Sequence, residues 1–295
     1  MSELTTIEQQ SLQDLSAQLG AGGQGSSNII MPELKINYDE DDDNGNELKL
    51  GDIFVKEDKN DKNFFYAKTV SFRPISQMHQ YSIYNTNEQK ITCKSRLIAD
   101  FFEEARDTQG TLRCGKPTSK EMRDIPEEDR KKYSDIKNQR QLRGLVSFTG
   151  KNALGEEKTY ENYPVLIRLN GQNNYQVDKT TDKIFAPFEQ QYLKKVPRGS
   201  SMWNFNVNIT TEKRKNALKK SYFTYEYAPD FKNQLPMEKD LYDTIMMIKE
   251  IIDGENNYVD GRYYKALKGE TYDAEAAATL DELHESLDAD YEEVA

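Results

Sequence analysis

The stretch "SMWNFNVNITTEKRKNALKKSYFTYEY", residues 201–227, constrains the fold more than any other. Trp203, Phe205, Val207 and Ile209 alternate with Asn204, Asn206 and Asn208. A period of two puts the apolar set on one face of a strand and the asparagines on the other. Phe223, Tyr225 and Tyr227 repeat the period, with Lys220, Tyr222 and Thr224 on the alternate face. The pattern predicts two strands whose apolar faces pair. The loop between them concentrates Lys213, Arg214, Lys215, Lys219 and Lys220. As an ordinary solvated hairpin, those lysines would simply keep an exposed edge soluble.

A basic loop is unexpected in a chain of 295 residues with a formal net charge of -11. Division of the charge resolves this. Residues 270–295 hold ten acids (Glu270, Asp273, Glu275, Asp281, Glu282, Glu285, Asp288, Asp290, Glu292 and Glu293) and no Lys or Arg. The rest is nearly neutral, with 40 basic and 41 acidic residues. Only 36 % of the chain is hydrophobic and 31 % is charged, so part of it is expected to be disordered. Three parts follow: a flexible segment at 1–28, a body at 29–269 and a disordered acidic tail at 270–295. The first contains a short amphipathic pattern (Ile7, Leu12, Leu15, Leu19) and then "GAGGQGSSN", a flexible linker.

Within the body, segments 48–55, 64–75, 79–85, 90–98, 140–150 and 158–171 read as strands, and "DNGN" at 43–46 as a hairpin turn. Residues 119–139 read as a charged helical insertion, with Asp124 as N-cap and Pro126 in its first turn. Helices are also expected at 186–196 and 236–254. The second buries Leu241, Ile245, Ile248 and Ile252 on one face and stops at Gly254, with a further short helix over 256–267. The fold class is mainly β with helical insertions (α+β). Short strands with turn signals suggest a small antiparallel barrel.

The cations and aromatics interleave. Phe72 precedes Arg73, Tyr81 and Tyr84 precede Lys94 and Arg96, and Tyr222 follows Lys220. Residues 113–151 hold eleven basic and six acidic residues, Arg143 among them. Single-stranded nucleic acid needs both components: cations that track phosphates and flat rings that stack on unpaired bases. The stacking candidates are Phe72, Tyr81, Tyr84, Trp203 and Tyr222, although alternation assigns Trp203 to the core face. The phosphate candidates are Arg73, Lys94, Arg96, Arg143, Lys213, Arg214, Lys215, Lys219 and Lys220. The tail ends in "LDADYEEVA", where Leu287, Tyr291 and Val294 stand among Asp288, Asp290, Glu292 and Glu293. A purely solvating tail has no need of these apolar residues, whereas a partner pocket with a basic rim would recognise them.

This layout resembles the replication single-stranded DNA-binding proteins of tailed bacteriophages. The resemblance is architectural and carries no long motif. It implies an OB-like five-stranded barrel that coats single-stranded DNA in replication and recombination in the host cytoplasm. It also implies an acidic tail that gates the groove and contacts the phage polymerase and helicase-primase, and self-association. One branch of that family holds a structural zinc. His79, Cys93 and Cys114, with His284 in the tail, fit no zinc template, so no metal or other cofactor is expected. That branch also has a basic N-terminal motif for cooperative binding, whereas residues 1–28 contain no Lys or Arg.

Other classes compete. There is no P-loop, G-x-S-x-G or H-E-x-x-H, so no enzyme is expected. The acids at 39–43 would serve a nuclease only with a partner carboxylate that the sequence does not place. A phage structural or assembly protein with a protein-binding β-domain is the main alternative. No apolar run approaches the ~20 residues that span a bilayer, and no signal peptide is evident, so an intracellular protein with reduced thiols is expected.

Overall fold

The computed structural model describes residues 31–42, 44–57, 63–85, 90–100, 103–178, 183–215 and 221–269. The N-terminal segment and the acidic tail lie outside them. The chain from Met31 onward forms one unit and is mainly β with a few helices.

Nine strands build one sheet: β1 (Glu33–Ile36), β2 (Ile53–Lys56), β3 (Tyr66–Ala67), β4 (Val70–Asn85), β5 (Lys90–Lys94), β6 (Ile136–Lys151), β7 (Glu157–Leu169), β10 (Val207–Lys215) and β11 (Ser221–Pro229). A separate two-stranded piece joins β8 (Gln176–Val177) to β9 (Ile184–Phe185). Along the sheet, β6 pairs β7, β7 pairs β1, β1 pairs β2, β2 pairs β3, and β3 returns to β6 through Tyr66 and Lys151. All of these pairs are antiparallel except β1 with β7. Strands β4 and β6 then run on together, and β5 and the β10–β11 hairpin attach to β4.

Two residues shape this extension. Pro74 cannot donate to the ladder, and the register of β4 against β6 shifts between Pro74 and Ser76. Opposite Pro74 stands Gly144, where a Cβ would lie 2.3 Å from the Arg73 carbonyl and 2.7 Å from the Phe72 ring. Only glycine permits so close an approach.

The main core joins Leu34, Ile53, Phe72, Val146 and Ile167 from the sheet to Ile209 and Tyr225 of the hairpin and to Phe188 and Tyr192. Phe188 lies on helix α4 (Pro187–Gln191), and a 3-10 turn at Leu193–Lys195 follows Tyr192. A second cluster packs Leu241 and Ile248 of helix α5 (Lys239–Leu267) against Met31, Ile75, Leu145 and Leu166.

Helix α5 differs from its sequence reading. It runs unbroken through Gly254 and Gly261, and among the described residues no atom lies within 4 Å of where a Cβ would stand at either. The buried stripe continues through Asn256 and Val259, so packing carries the helix past a weak helix former. The stop is instead Gly269, with φ +68 and its N–H bonded to the Ala266 carbonyl. The expected helix at 119–139 is also corrected. It consists of α1 (Glu121–Asp124), α2 (Glu127–Arg130) and a 3-10 turn (Lys131–Tyr133), none with a buried residue, and β6 already begins at Ile136. The "DNGN" turn joins β1 to β2, with Asp42 accepting from the Asn44 and Asn46 backbone amides.

Candidate nucleic-acid interface

The hairpin pairs as its alternation predicts. Ile209 faces Tyr227, Thr211 faces Tyr225 and Lys213 faces Phe223. Tyr225 and Tyr227 are buried, whereas Phe223 is half-buried where the stripe leaves the core. Residue 51 holds the Phe223 ring in place. A Cβ there would lie 2.5 Å from the ring, and φ is +85, so glycine is required twice over. Thr211 Oγ1 donates to the Gly51 carbonyl at 2.5 Å and locks the same contact.

Tyr38 completes this end. Its ring meets Phe223 edge-on at 6.3 Å, and its hydroxyl donates to the Phe223 carbonyl at 2.9 Å. Burial of the phenol pushes its pKa up, and Asn173 is a further hydrogen-bond partner. Yet 47 % of Tyr38 remains exposed. Lys213 Nζ lies 5.9 Å from the Phe223 ring centre, and Lys213 and Lys215 are both exposed. The result is a fixed, solvent-facing Tyr38 ring against Phe223, with Lys213 beside that pair and Lys215 two residues further along the strand. An unpaired base can stack there while its phosphates meet the lysines.

The outer edge of β11 is closed to further strands. Tyr38 serves the Phe223 carbonyl, while Asn173 and Gln191 accept from the Tyr225 and Tyr227 amides. Pro229 has no N–H to offer. Side chains thus cover the groups through which an edge strand aggregates.

The other sequence candidates are distributed differently. Phe72 is fully buried in the main core and offers no ring to a ligand. Trp203 belongs to a 3-10 turn (Met202–Asn204), not to β10, and packs in the α5 cluster. Arg73 donates to the carbonyls of Trp203 at 2.7 Å and Pro236 at 2.8 Å, so it anchors the approach to α5. Arg143 is 1 % exposed and pairs with Glu255 at 2.7 Å. Arg96 pairs with Asp260 at 3.6 Å, and Lys94 stands 5.1 Å over the Tyr258 ring. These four cations are engaged by α5 or the residues leading into it. Arg214 is held between Glu212 at 2.6 Å and Glu226 at 2.9 Å. Tyr81 and Tyr84 are half-buried on β4, and Tyr222 is half-buried opposite Arg214. Lys219, Lys220 and the tail residues Leu287, Asp288, Asp290, Tyr291, Glu292, Glu293 and Val294 lie outside the described residues. Of the sequence candidates, Lys213 lies beside Phe223, Lys215 follows two residues on along the same strand, and Tyr222 alternates to the other face with Arg214; the structure adds Tyr38 and Phe223.

The chain matches no protein-family model, no curated protein and no solved structure.

Cys93, Asp107 and Cys114 place one ligand atom each within 4.8 Å of one another, all buried. Asp107, however, already accepts from the amides of Gln109, Thr111 and Cys114 and from the Thr111 hydroxyl. A carboxylate has about four lone-pair sites, so little remains for an ion. A hydrogen bond with Cys93, and then burial, raise the Cys114 thiol. His79 is not part of the group. In the acidic run, Asp42 is engaged by its own turn, which fits a solvated loop. Among the described residues, no helix is long and apolar enough to cross a membrane.

Proposed function

We propose that this chain binds single-stranded DNA without sequence preference. The observation that carries the reading is Tyr38, held open to solvent against Phe223, with the exposed Lys213 over the Phe223 ring. An aromatic kept this exposed while its hydroxyl is tied down is a preorganised platform, and preorganisation lowers the ordering cost of binding. The circuit of pairings β6–β7–β1–β2–β3–β6 supports an OB-like barrel as the scaffold, a fold suited to single strands. In this reading the chain acts in phage DNA replication and recombination, and tail 270–295 gates the surface and recruits replication proteins such as the polymerase and helicase-primase. That part rests on the resemblance in layout.

The test is fluorescence anisotropy with a labelled oligo-dT of roughly 30 nucleotides at two salt concentrations. Binding should weaken with salt, with a log–log slope of about −0.7 per phosphate contact. Charge reversal at Lys213 and Lys215 should shallow that slope and weaken binding to all sequences alike. Absence of binding at low salt would discard the proposal, and a loss confined to one sequence would mean base readout instead.

A further inference from the structure

A second aromatic and cationic patch lies across the short helix α3 (Gly171–Asn174) from Tyr38. Successive residues of α3 reach to opposite sides. Asn173 bonds the Tyr38 phenol and accepts from the Tyr225 amide. Asn174 is buried, and its amide donates to the Asn138 carbonyl at 3.1 Å while its oxygen accepts from Arg140 Nε at 3.1 Å. Asn138 is the ladder partner of Tyr81 on β4, and its side chain bonds the Tyr81 phenol. The same phenol is within electrostatic reach of Arg113 and Tyr175. Tyr175 follows α3 directly and is 40 % exposed.

Arg113 is held where it is by its backbone. It opens a run of three left-handed residues, Arg113 (φ 54), Cys114 (φ 55) and Gly115 (φ 80). Two of these are not glycine, a conformation that costs on the order of 1–2 kcal/mol per residue. Surrounding structure must therefore enforce it. The Cys114 amide is anchored by Asp107, and the Cys114 thiol points at the Tyr81 carbonyl at 3.4 Å. Those contacts tie the turn that carries Arg113 to the strand that carries Tyr81.

We infer that one strand of nucleic acid occupies both patches. It runs from Lys213 and Tyr38, across α3, to Tyr175, Tyr81 and Arg113. Unpaired bases stack on the Tyr38 and Tyr175 rings, and Lys213 and Arg113 meet phosphates at the two ends. Single exposed tyrosines are common on protein surfaces. Here two exposed phenol rings flank adjacent asparagines of one turn, with Lys213 over the Phe223 ring that Tyr38 meets and Arg113 on the turn tied to Tyr81, and charge complementarity favours a polyanion. The inference rests on the strand-binding reading and deepens it by giving the strand a path.

The test is a length series of oligo-dT bound to the full-length protein, its Tyr38→Ala variant and its Tyr175→Ala variant. Base stacking is worth about 1–3 kcal/mol by alanine substitution. Tyr38→Ala should lose roughly tenfold in affinity at every length that binds. Tyr175→Ala should match the wild type on the shortest binding oligomers and fall about tenfold behind on longer ones. Tyr175→Phe keeps the ring and should bind as the wild type does. Arg113→Gln should shallow the salt slope by about 0.7 on long oligomers only. Tyr175→Ala binding that equals the wild type at all lengths would overturn the path. So would an equal loss at all lengths in a variant whose thermal melt is unchanged, since that describes one local site. If the wild type binds no oligomer of any length, the strand-binding reading itself falls and the path falls with it.

Discussion

His79 shows how position decides chemistry at the scale of a single residue. It is 2 % exposed, with Nδ1 3.4 Å from Asn138 Oδ1 and Arg140 opposite it in the ladder. Burial, and then the Arg140 charge, push its pKa down to about 4. The unfolded chain titrates this group at about 6.5. Above that pH both states are neutral, and the contribution to stability is fully present. As pH falls, the unfolded state takes up the proton first, so stability drops between about 6.5 and about 4. At the limit the loss is about 3 kcal/mol. Urea unfolding of the wild type and His79→Gln across this window should give curves that converge on acidification. A constant difference between them would rule out the titration of His79 as the cause.

At the scale of the element, α5 is held by two unlike halves. Its first turns bury Leu241 and Ile248 against Ile75, Leu145 and Leu166. Its later turns are polar: Glu255 pairs with Arg143, Asn256 bonds the Leu97 amide and carbonyl, and Asp260 meets Arg96 and Arg106. Arg143 is the costly member. Burial lowers its pKa despite Glu255, and among the described residues Nε and Nη1 find no hydrogen-bond partner. Removing one partner of a buried pair strands the other charge, at about 3–5 kcal/mol; Glu255, whose side chain is 24 % exposed, can turn to water when left alone, whereas Arg143, at 1 %, cannot. Glu255→Ala should therefore destabilise by about 3 kcal/mol, and Arg143→Met should cost much less. Chemical denaturation of both variants checks this, and the reverse order would show that the pair contributes net stability.

At the scale of the whole molecule, the charge is divided along the chain. A nearly neutral body carries the exposed Tyr38 ring and two exposed lysines of β10, and the last 26 residues hold ten acids with no Lys or Arg. If the tail competes with DNA for the body, truncation to residues 1–269 should tighten oligo-dT binding at low salt, and the gain should fade as salt screens both polyanions. An unchanged affinity and salt slope in the truncated chain would exclude that competition. The tail would then be left with a recruiting or solubilising role.

The sequence by itself determined what is periodic. The alternation in 201–227 dictated a hairpin with paired apolar faces, and the 241–245–248–252 stripe dictated a helix against the sheet, because both periods are properties of neighbouring residues. It did not determine which aromatics are core and which are open. Phe72 beside Arg73 reads like a stacking site, yet a residue on the inner face of a central strand is buried by partners far along the chain. Tyr38, just before the acidic run at 39–43, carries no local mark of a stacking site. The one signal for it was phase, since it continues the alternation of Leu34 and Ile36 beyond the end of β1. Only the tertiary structure decided which cations are engaged. Arg143 and Glu255 are 112 residues apart, and Tyr38 and Phe223 are 185 apart. Contacts of that range depend on how strands and helix assemble, and no local pattern encodes them.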